Sequence, residues 1–127
     1  DKSAQVRREC AVALRHTKTT QAAKLWAELA SRHDGEDRWY LEALGLSSDL
    51  NADACFSAWL AKIGDKWNTS AGRDIIWRVR SKAAPSYLAK ILKDKKTPAE
   101  SHPRYVRALD FHSGPEKDKA LEALLDI

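Results

Sequence analysis

The residues best suited to bind an anionic ligand lie in the second half of the chain, where charge is unevenly distributed. Residues 73–107 contain ten lysines or arginines and three acidic residues, a net charge of +7, whereas the remainder carries −3. A basic surface attracts anionic partners, and a nearby tryptophan can stack on a base or a sugar. The candidate partner-binding residues are therefore Trp77, Arg78, Arg80, Lys82, Arg104 and Arg107. The alternative for these charges is an ordinary solvated face.

The five tryptophans divide into two groups by their position in the hydrophobic pattern. Trp26 and Trp59 fall on apolar stripes at helical spacing, which predicts that they belong to the core. Trp39, Trp67 and Trp77 do not fall on these stripes and are freer to be exposed. Trp67 lies in a polar turn and Trp77 lies beside Arg78, so these two are the best candidates for an exposed contact.

A catalytic centre is not indicated by any residue pattern in the sequence. Glu36, Asp37 and Glu42 could act as paired acid and base, but Asp37 stands where a helix cap belongs. The serines and threonines cluster at predicted helix starts, and none lies in a G-x-S-x-G turn. The five glycines are dispersed and form no phosphate-binding loop. We therefore expect a non-enzymatic segment, although polar groups around Asp74 and Trp77 could contribute to a site shared with other domains.

Metal and cofactor chemistry also lacks the necessary spacing. Cys10 and Cys55 stand 45 positions apart within apolar helical patterns, which favours two buried free thiols. A disulfide between them is the alternative if the protein is exported. No histidine has a second ligand at metal-binding spacing, so we expect neither a metal nor a cofactor; the four are His16, His33, His102 and His112.

Periodicity and capping residues predict an all-α chain of about eight helices, because no segment alternates with a period of two. The first helix is predicted to bury a stripe of Val6, Cys10, Ala13 and Leu14. Later helices are predicted to start at or after Thr19 or Thr20, Asp37, Asn51, Thr69 or Ser70, Pro85, Thr97 and Gly114.

The seventh helix has two candidate starts in the sequence. TPAE at residues 97–100 has the form of a capping box, whereas Pro103 indicates either a later start or a kink. Gly64 is expected to end the fourth helix, where a glycine commonly follows the last turn.

A short pattern recurs along the chain at intervals of about 32 residues. Ala11 and Leu14 align with Ala43 and Leu46, and these with Ala108 and Phe111; residues 74–81 fit loosely. The small residue is expected to let helices approach closely, and the larger one to fill the gap between layers. A period of 30–35 residues with two helices predicts an α-solenoid of about four antiparallel helix pairs, forming one domain over residues 1–127.

The segments QVRRECAVALRH, DGEDRWYLEALGL and WNTSAGRDIIWRVRSKAAPSYLAKIL resemble a HEAT-type repeat module. More narrowly, they resemble the helical segment of large exported bacterial proteins that join a sugar-dehydrogenase-like propeller to a C-terminal c-type cytochrome. This resemblance implies a spacer or docking module of a periplasmic or cell-surface protein. The haem attachment motif C-x-x-C-H is absent, and Pro103 departs from the usual pattern, so no haem site is transferred.

Together these features favour a repeat scaffold that binds another protein or a neighbouring domain of its parent chain. The alternative is a HEAT-like domain that holds nucleic acid, as DNA glycosylases of this type do, through the basic residues 73–107. The apolar runs are too short to span a membrane. Because the chain begins at Asp1 and lacks methionine, we expect it to be part of a larger protein.

Overall fold

The computed structural model describes residues 3–17 and 19–125. Within these residues the chain is all-helical and has no strand, which confirms the prediction of an all-α chain with about eight helices. Short 3₁₀ turns cover Gly64–Trp67 and Ala99–Ser101. The eight α-helices are α1 (Ala4–Ala13), α2 (Thr20–Ala30), α3 (Arg38–Ser48), α4 (Ala52–Ile63), α5 (Ser70–Arg78), α6 (Ala84–Lys93), α7 (His102–Leu109) and α8 (Pro115–Leu124).

Several helix boundaries follow from side-chain caps that the sequence shows directly. The side chains of Thr19, Asp37 and Thr69 each accept a hydrogen bond from the backbone N–H three residues later, at 3.0 Å. Each bond satisfies an amide that the helix itself leaves unpaired. Gly64 ends α4 with a φ of 61°, a left-handed conformation that a side chain disfavours. Asn51 precedes α4 as predicted, but its side chain makes no capping hydrogen bond.

The predicted capping box at residues 97–100 is wrong. Thr97 is buried, and its Oγ1 donates a 2.7 Å hydrogen bond to the carbonyl of Ile91 at the end of α6. The hydroxyl therefore closes the preceding helix and does not open the next one. α7 begins at His102, which places Pro103 in the first turn, where its missing N–H breaks no helical hydrogen bond.

The predicted buried stripe of α1 is also wrong in its phase. Ala11 is fully buried, whereas Val6, Cys10 and Ala13 are exposed and Leu14 is half-buried. α1 packs mainly on α3 and only slightly on α2, so a narrow strip of the helix is covered. The covered face includes the half-buried Arg7 and Arg8 and is less apolar than the predicted stripe, so contact with α3, and not local hydrophobicity, sets which face is covered.

The helices pack on their second neighbours in the chain. α3 contacts α1 and α5, and α5 contacts α7, so the odd-numbered helices form one layer. In the other layer α2 packs extensively on α4, and α6 on α8. Phe56 of α4 meets the ring of Tyr87 of α6 edge to face at 5.5 Å, which connects these two pairs.

The core between the two layers is built around Trp26 and Trp59, which confirms their predicted burial. The indole N–H of Trp26 donates to the carbonyl of Leu44 at 2.9 Å, and the hydroxyl of Tyr40 donates to the carbonyl of Leu29. Both bonds run between α2 and α3. They satisfy polar atoms of large aromatic side chains inside the core, which makes their burial favourable.

The recurring alanines occupy equivalent positions, but the larger residues that follow them do not. Ala11, Ala43 and Ala108 are all buried, and they lie on α1, α3 and α7 of the same layer. Leu46 and Phe111 are 36% and 64% exposed, so the prediction that they fill a gap between layers is wrong. The small residues serve close packing, whereas the large ones face outward.

Candidate functional site

Helix α3, with the sequence RWYLEALGLSS, separates two clefts on the odd-numbered layer and shares Glu42 between them, whereas its other lining residues belong to one cleft or the other. Trp39, Ala43 and Leu46 follow one another at i, i+4 and i+7 and border α1. Glu42 and Asp49 stand seven residues apart on the side that faces α5. The helical period thus gives α3 one apolar edge and one acidic edge.

The first cleft is an open apolar groove between α1 and α3, with a volume of about 660 Å³. Its apolar lining comes from Val12, Trp39 and Leu46, and Trp39 is the most exposed of them at 73%. Arg8, Glu9 and Glu42 complete the wall. We refer to this cleft as the apolar groove. Its large uncovered side chains are of the kind that anchors a protein partner.

Arg78 crosses from α5 onto the acidic edge of α3. Its Nη2 lies 3.3 Å from Oε1 of Glu42, and its Nη1 lies 3.1 Å from Oδ1 of Asp49. The crossing is possible because residue 45 is glycine: a Cβ added there would lie 2.2 Å from Nε of Arg78. The guanidinium therefore occupies the space that a side chain at position 45 would fill if that residue were not glycine.

The two carboxylates keep Arg78 charged although its side chain is only 10% exposed. Burial opposes the charged form, but the hydrogen bonds and charges of Asp49 and Glu42 outweigh it and raise the pKa of Arg78 above its ordinary value. Breaking such a buried pair by removing one partner is costly, because the other partner remains desolvated. Arg78 is therefore a structural residue that joins the two halves of the chain.

Arg80 borders the second cleft, which has a volume of about 610 Å³ and lies between α3, α5 and the end of α7. Its Nη1 donates to the carbonyl of Trp77 at 3.0 Å, and its guanidinium carbon lies 4.2 Å from the ring centre of Phe111. Burial, and then the charge of Arg78, lower the pKa of Arg80. We refer to this cleft as the arginine cleft.

A third cleft, of about 440 Å³, contains a buried histidine–aspartate pair. Nε2 of His33 lies 2.9 Å from Oδ2 of Asp74, and Oδ1 of Asp74 lies 2.9 Å from Nη2 of Arg104. Arg104 in turn stacks over Trp77, 4.4 Å from the ring centre. The His33 side chain is only 1% exposed, so its imidazole packs within the protein and is not presented to a substrate.

The structure brings four of the six predicted site residues together around Trp77. Arg78 and Arg80 line the arginine cleft with it, and Arg104 stacks on its ring in the third cleft. Lys82 lies apart and is 4.0 Å from Asp53. Arg107 is exposed on α7 and lines none of the three clefts.

The expected basic surface is partly neutralised by ion pairs, most of them with acidic residues from the first half of the chain. Arg78 pairs with Glu42 and Asp49. Lys82 pairs with Asp53, and Arg104 pairs with Asp74. Three of these four acids precede residue 73 in the sequence. A count along the sequence therefore overstates the positive charge that the folded surface presents.

The most exposed tryptophan is Trp39, and not Trp67 or Trp77 as predicted. Trp39 is mostly exposed, whereas Trp67 and Trp77 are half-buried and pack against the core. Trp67 meets Tyr87 edge to face at 5.2 Å. The available signal was the spacing of Trp39, Ala43 and Leu46, which marks a second apolar stripe on a helix whose inner face is already apolar.

The two cysteines are both free thiols, but they lie in different surroundings. Cys55 is buried as predicted, and burial raises the pKa of its thiol to about 11. Cys10 is exposed, so the expectation that it is buried is wrong. Its position on the outer side of α1 follows from the corrected phase of that helix.

The described ranges 3–17 and 19–125 contain neither a metal-ligand cluster nor a membrane-spanning helix. Among those residues, no three His, Cys, Asp or Glu side chains are grouped so that they could hold a metal ion. In the same ranges, no helix is long and apolar enough to cross a bilayer.

Comparison with known proteins gives no match that would assign the chain to a family. No protein-family model, no curated protein and no solved structure matches it.

Proposed function

We propose that the chain is a HEAT-like helical scaffold, without catalytic activity of its own, that binds a protein partner along its odd-numbered layer. The observation that carries this proposal is the apolar groove, where Val12, Trp39 and Leu46 are left uncovered between two packed helices. Burying such side chains is the main favourable term in protein association.

The packing of helices on their second neighbours supports a repeat scaffold. In an α-solenoid of four helix pairs, each layer is built by corresponding helices of successive repeats. The buried alanines of α1, α3 and α7 fit this arrangement, since they recur in one layer. A solenoid presents an extended face to its partner, and the three clefts lie side by side along α3.

The partner that the family resemblance favours is a neighbouring domain of the same parent protein. That proposal places the module between a propeller and a cytochrome domain in the periplasm or at the cell surface. The described residues themselves carry no haem motif, so their contribution would be to position other domains.

The ion pairs of the basic residues count against the nucleic-acid alternative. Phosphate binding requires cations that are free to replace counterions, whereas Arg78, Lys82 and Arg104 already face carboxylates. Titration with a labelled DNA duplex at low and raised salt tests this alternative. Salt-sensitive binding at micromolar protein would favour it over the scaffold.

The scaffold proposal can be tested with a photo-reactive phenylalanine analogue placed at Trp39. The control carries the analogue at Lys24, an exposed position on α2 in the opposite layer. In the full-length parent protein or the extract of its host, position 39 should cross-link to one discrete protein or domain. An excess of unlabelled wild-type chain should abolish that product. Equal products from positions 39 and 24, or none from position 39, would contradict the proposal.

A further inference from the structure

Arg80 differs from the other arginines around Trp77 because it has no carboxylate partner. Among residues 3–17 and 19–125, no carboxylate oxygen lies within 4.0 Å of its guanidinium, whereas Arg78 and Arg104 both have one. Its one hydrogen bond goes to the carbonyl of Trp77, through Nη1. Nε and Nη2 are therefore left to other acceptors, and a guanidinium offers its donors in a planar fork.

The surroundings of Arg80 hold the side chain in place and partly remove it from water. Phe111 stacks against the guanidinium, and the carbonyl of Trp77 fixes one of its nitrogens. Burial and the neighbouring Arg78 disfavour the charge, as the lowered pKa of Arg80 indicates. The carboxylates of Asp49 and Glu42 act on Arg80 only from beyond ion-pair distance, so a positioned, half-buried cation of this kind is further stabilised when an anion binds directly to it.

The charge balance of the arginine cleft selects the type of anion. Arg78 and Arg80 contribute two positive charges, and Glu42 and Asp49 contribute two negative charges. A monovalent carboxylate adds one negative charge to this neutral set, whereas a phosphate dianion adds two beside two existing carboxylates. Phe111 and the ring of Trp77 offer apolar contacts to whatever group bears the anion.

The arginine cleft is adjacent to the apolar groove, since Glu42 lines both. We propose that Arg80 binds the carboxylate of an acidic residue in the partner protein, while an apolar residue of the same segment lies in the apolar groove. The inference rests on the proposed docking function. It adds that the partner segment carries one apolar and one acidic anchor.

The carboxylate site can be tested with 3-phenylpropionate, which joins a carboxylate to an apolar ring. The probe is titrated into the isotope-labelled chain at pH 7, and NMR follows the Arg80 Nε–Hε and Trp77 indole resonances. Both should shift and saturate. The uncharged 3-phenylpropanamide should bind about ten- to a hundredfold more weakly, because the charge-assisted hydrogen bonds are lost. No saturable shift at Arg80 would overturn the proposal.

Matched variants separate the proposed contact from general effects of charge. Arg80→Gln should weaken the binding of 3-phenylpropionate at least about tenfold, and Phe111→Leu should weaken it severalfold. Arg107→Gln, which removes an exposed arginine outside the cleft, should leave the affinity unchanged. Urea midpoints verify that each variant is folded. Equal affinity in wild type and Arg80→Gln would refute the assignment, as would tighter binding of inorganic phosphate than of 3-phenylpropionate.

The partner captured at position 39 distinguishes this inference from the docking proposal. Arg80→Gln should weaken that partner's binding at least about tenfold, whereas Arg107→Gln should not. A partner that cross-links at position 39 and is insensitive to Arg80→Gln would refute the acidic anchor and leave the docking proposal standing. Probe binding through Arg80 with no cross-link at position 39 would refute the docking proposal and the protein origin of the carboxylate.

Discussion

Replacing Gly45 by alanine is expected to destabilise the protein, although alanine is the better helix former. The substitution gains about 1 kcal/mol of helix propensity in α3. However, the new Cβ would lie 2.2 Å from Nε of Arg78, so the guanidinium must leave its position. It then loses its contacts with Glu42 and Asp49. Each charge-assisted hydrogen bond contributes about 1.5–3 kcal/mol.

The partial exposure of the two carboxylates reduces this loss. Their side chains are 50% and 36% exposed, so water can replace part of the lost interaction. We estimate a combined loss of about 3 kcal/mol, which leaves a net destabilisation of about 2 kcal/mol for Gly45→Ala. In the Arg78→Ala background the obstacle is absent, and Gly45→Ala should then stabilise the protein by about 1 kcal/mol.

The measurement is urea unfolding of the four proteins in this cycle, followed by far-UV circular dichroism and tryptophan fluorescence. Ser57→Ala, at an exposed position of α4, serves as a helix-propensity control and should stabilise the protein by a few tenths of a kcal/mol. The reasoning is refuted if Gly45→Ala stabilises the wild type, or if its effect is the same in both backgrounds within about 0.5 kcal/mol.

Four further predictions concern packing, a buried hydrogen bond and the two thiols. Ala11→Leu should cost about 1–3 kcal/mol in urea unfolding, and Ala43→Leu less, because Ala43 borders the apolar groove; equal costs would contradict this. Thr97→Val should cost about 1 kcal/mol, since it removes a buried hydrogen bond, and an unchanged urea midpoint would disprove that role. The pKa of the Cys55 thiol is higher in the folded state than its ordinary value of 9.0. The contribution of the buried, neutral thiol to the free energy of unfolding is therefore fully present below pH 9 and is lost as pH rises towards 11. In urea unfolding from pH 8 to 11, the free energy of unfolding of the wild type should fall by about 2–3 kcal/mol more than that of Cys55→Ala. The same pH dependence in both proteins would refute this prediction. In the native state a maleimide should label Cys10 quickly and Cys55 only after unfolding.

The helices and most of their starts were predictable because their causes are local. Thr19, Asp37 and Thr69 each cap a helix through an atom of their own side chain, which the sequence displays directly. Thr97 failed as a predicted cap because its hydroxyl bonds to the carbonyl of Ile91, six residues earlier. A hydroxyl can serve either helix end, and the tertiary fold makes the choice.

The candidate site was less predictable because its pairs join distant parts of the chain. Arg78 and Glu42 are 36 residues apart, and His33 and Asp74 are 41 apart. The sequence marks residues 73–107 as basic but does not reveal which cations meet acids from the first half. The exposure of Trp39 similarly depends on what covers α1 and α3, and periodicity alone cannot determine that.

The position of Glu42 has a consequence for any ligand of this protein. Its carboxylate borders all three clefts and also holds Arg78 in the gap at Gly45. A ligand that draws Glu42 towards one cleft weakens its hold on Arg78 and alters the electrostatic field in the others. Two ligands that each displaced Glu42 would therefore be thermodynamically linked, and by reciprocity each would change the affinity of the other by the same factor.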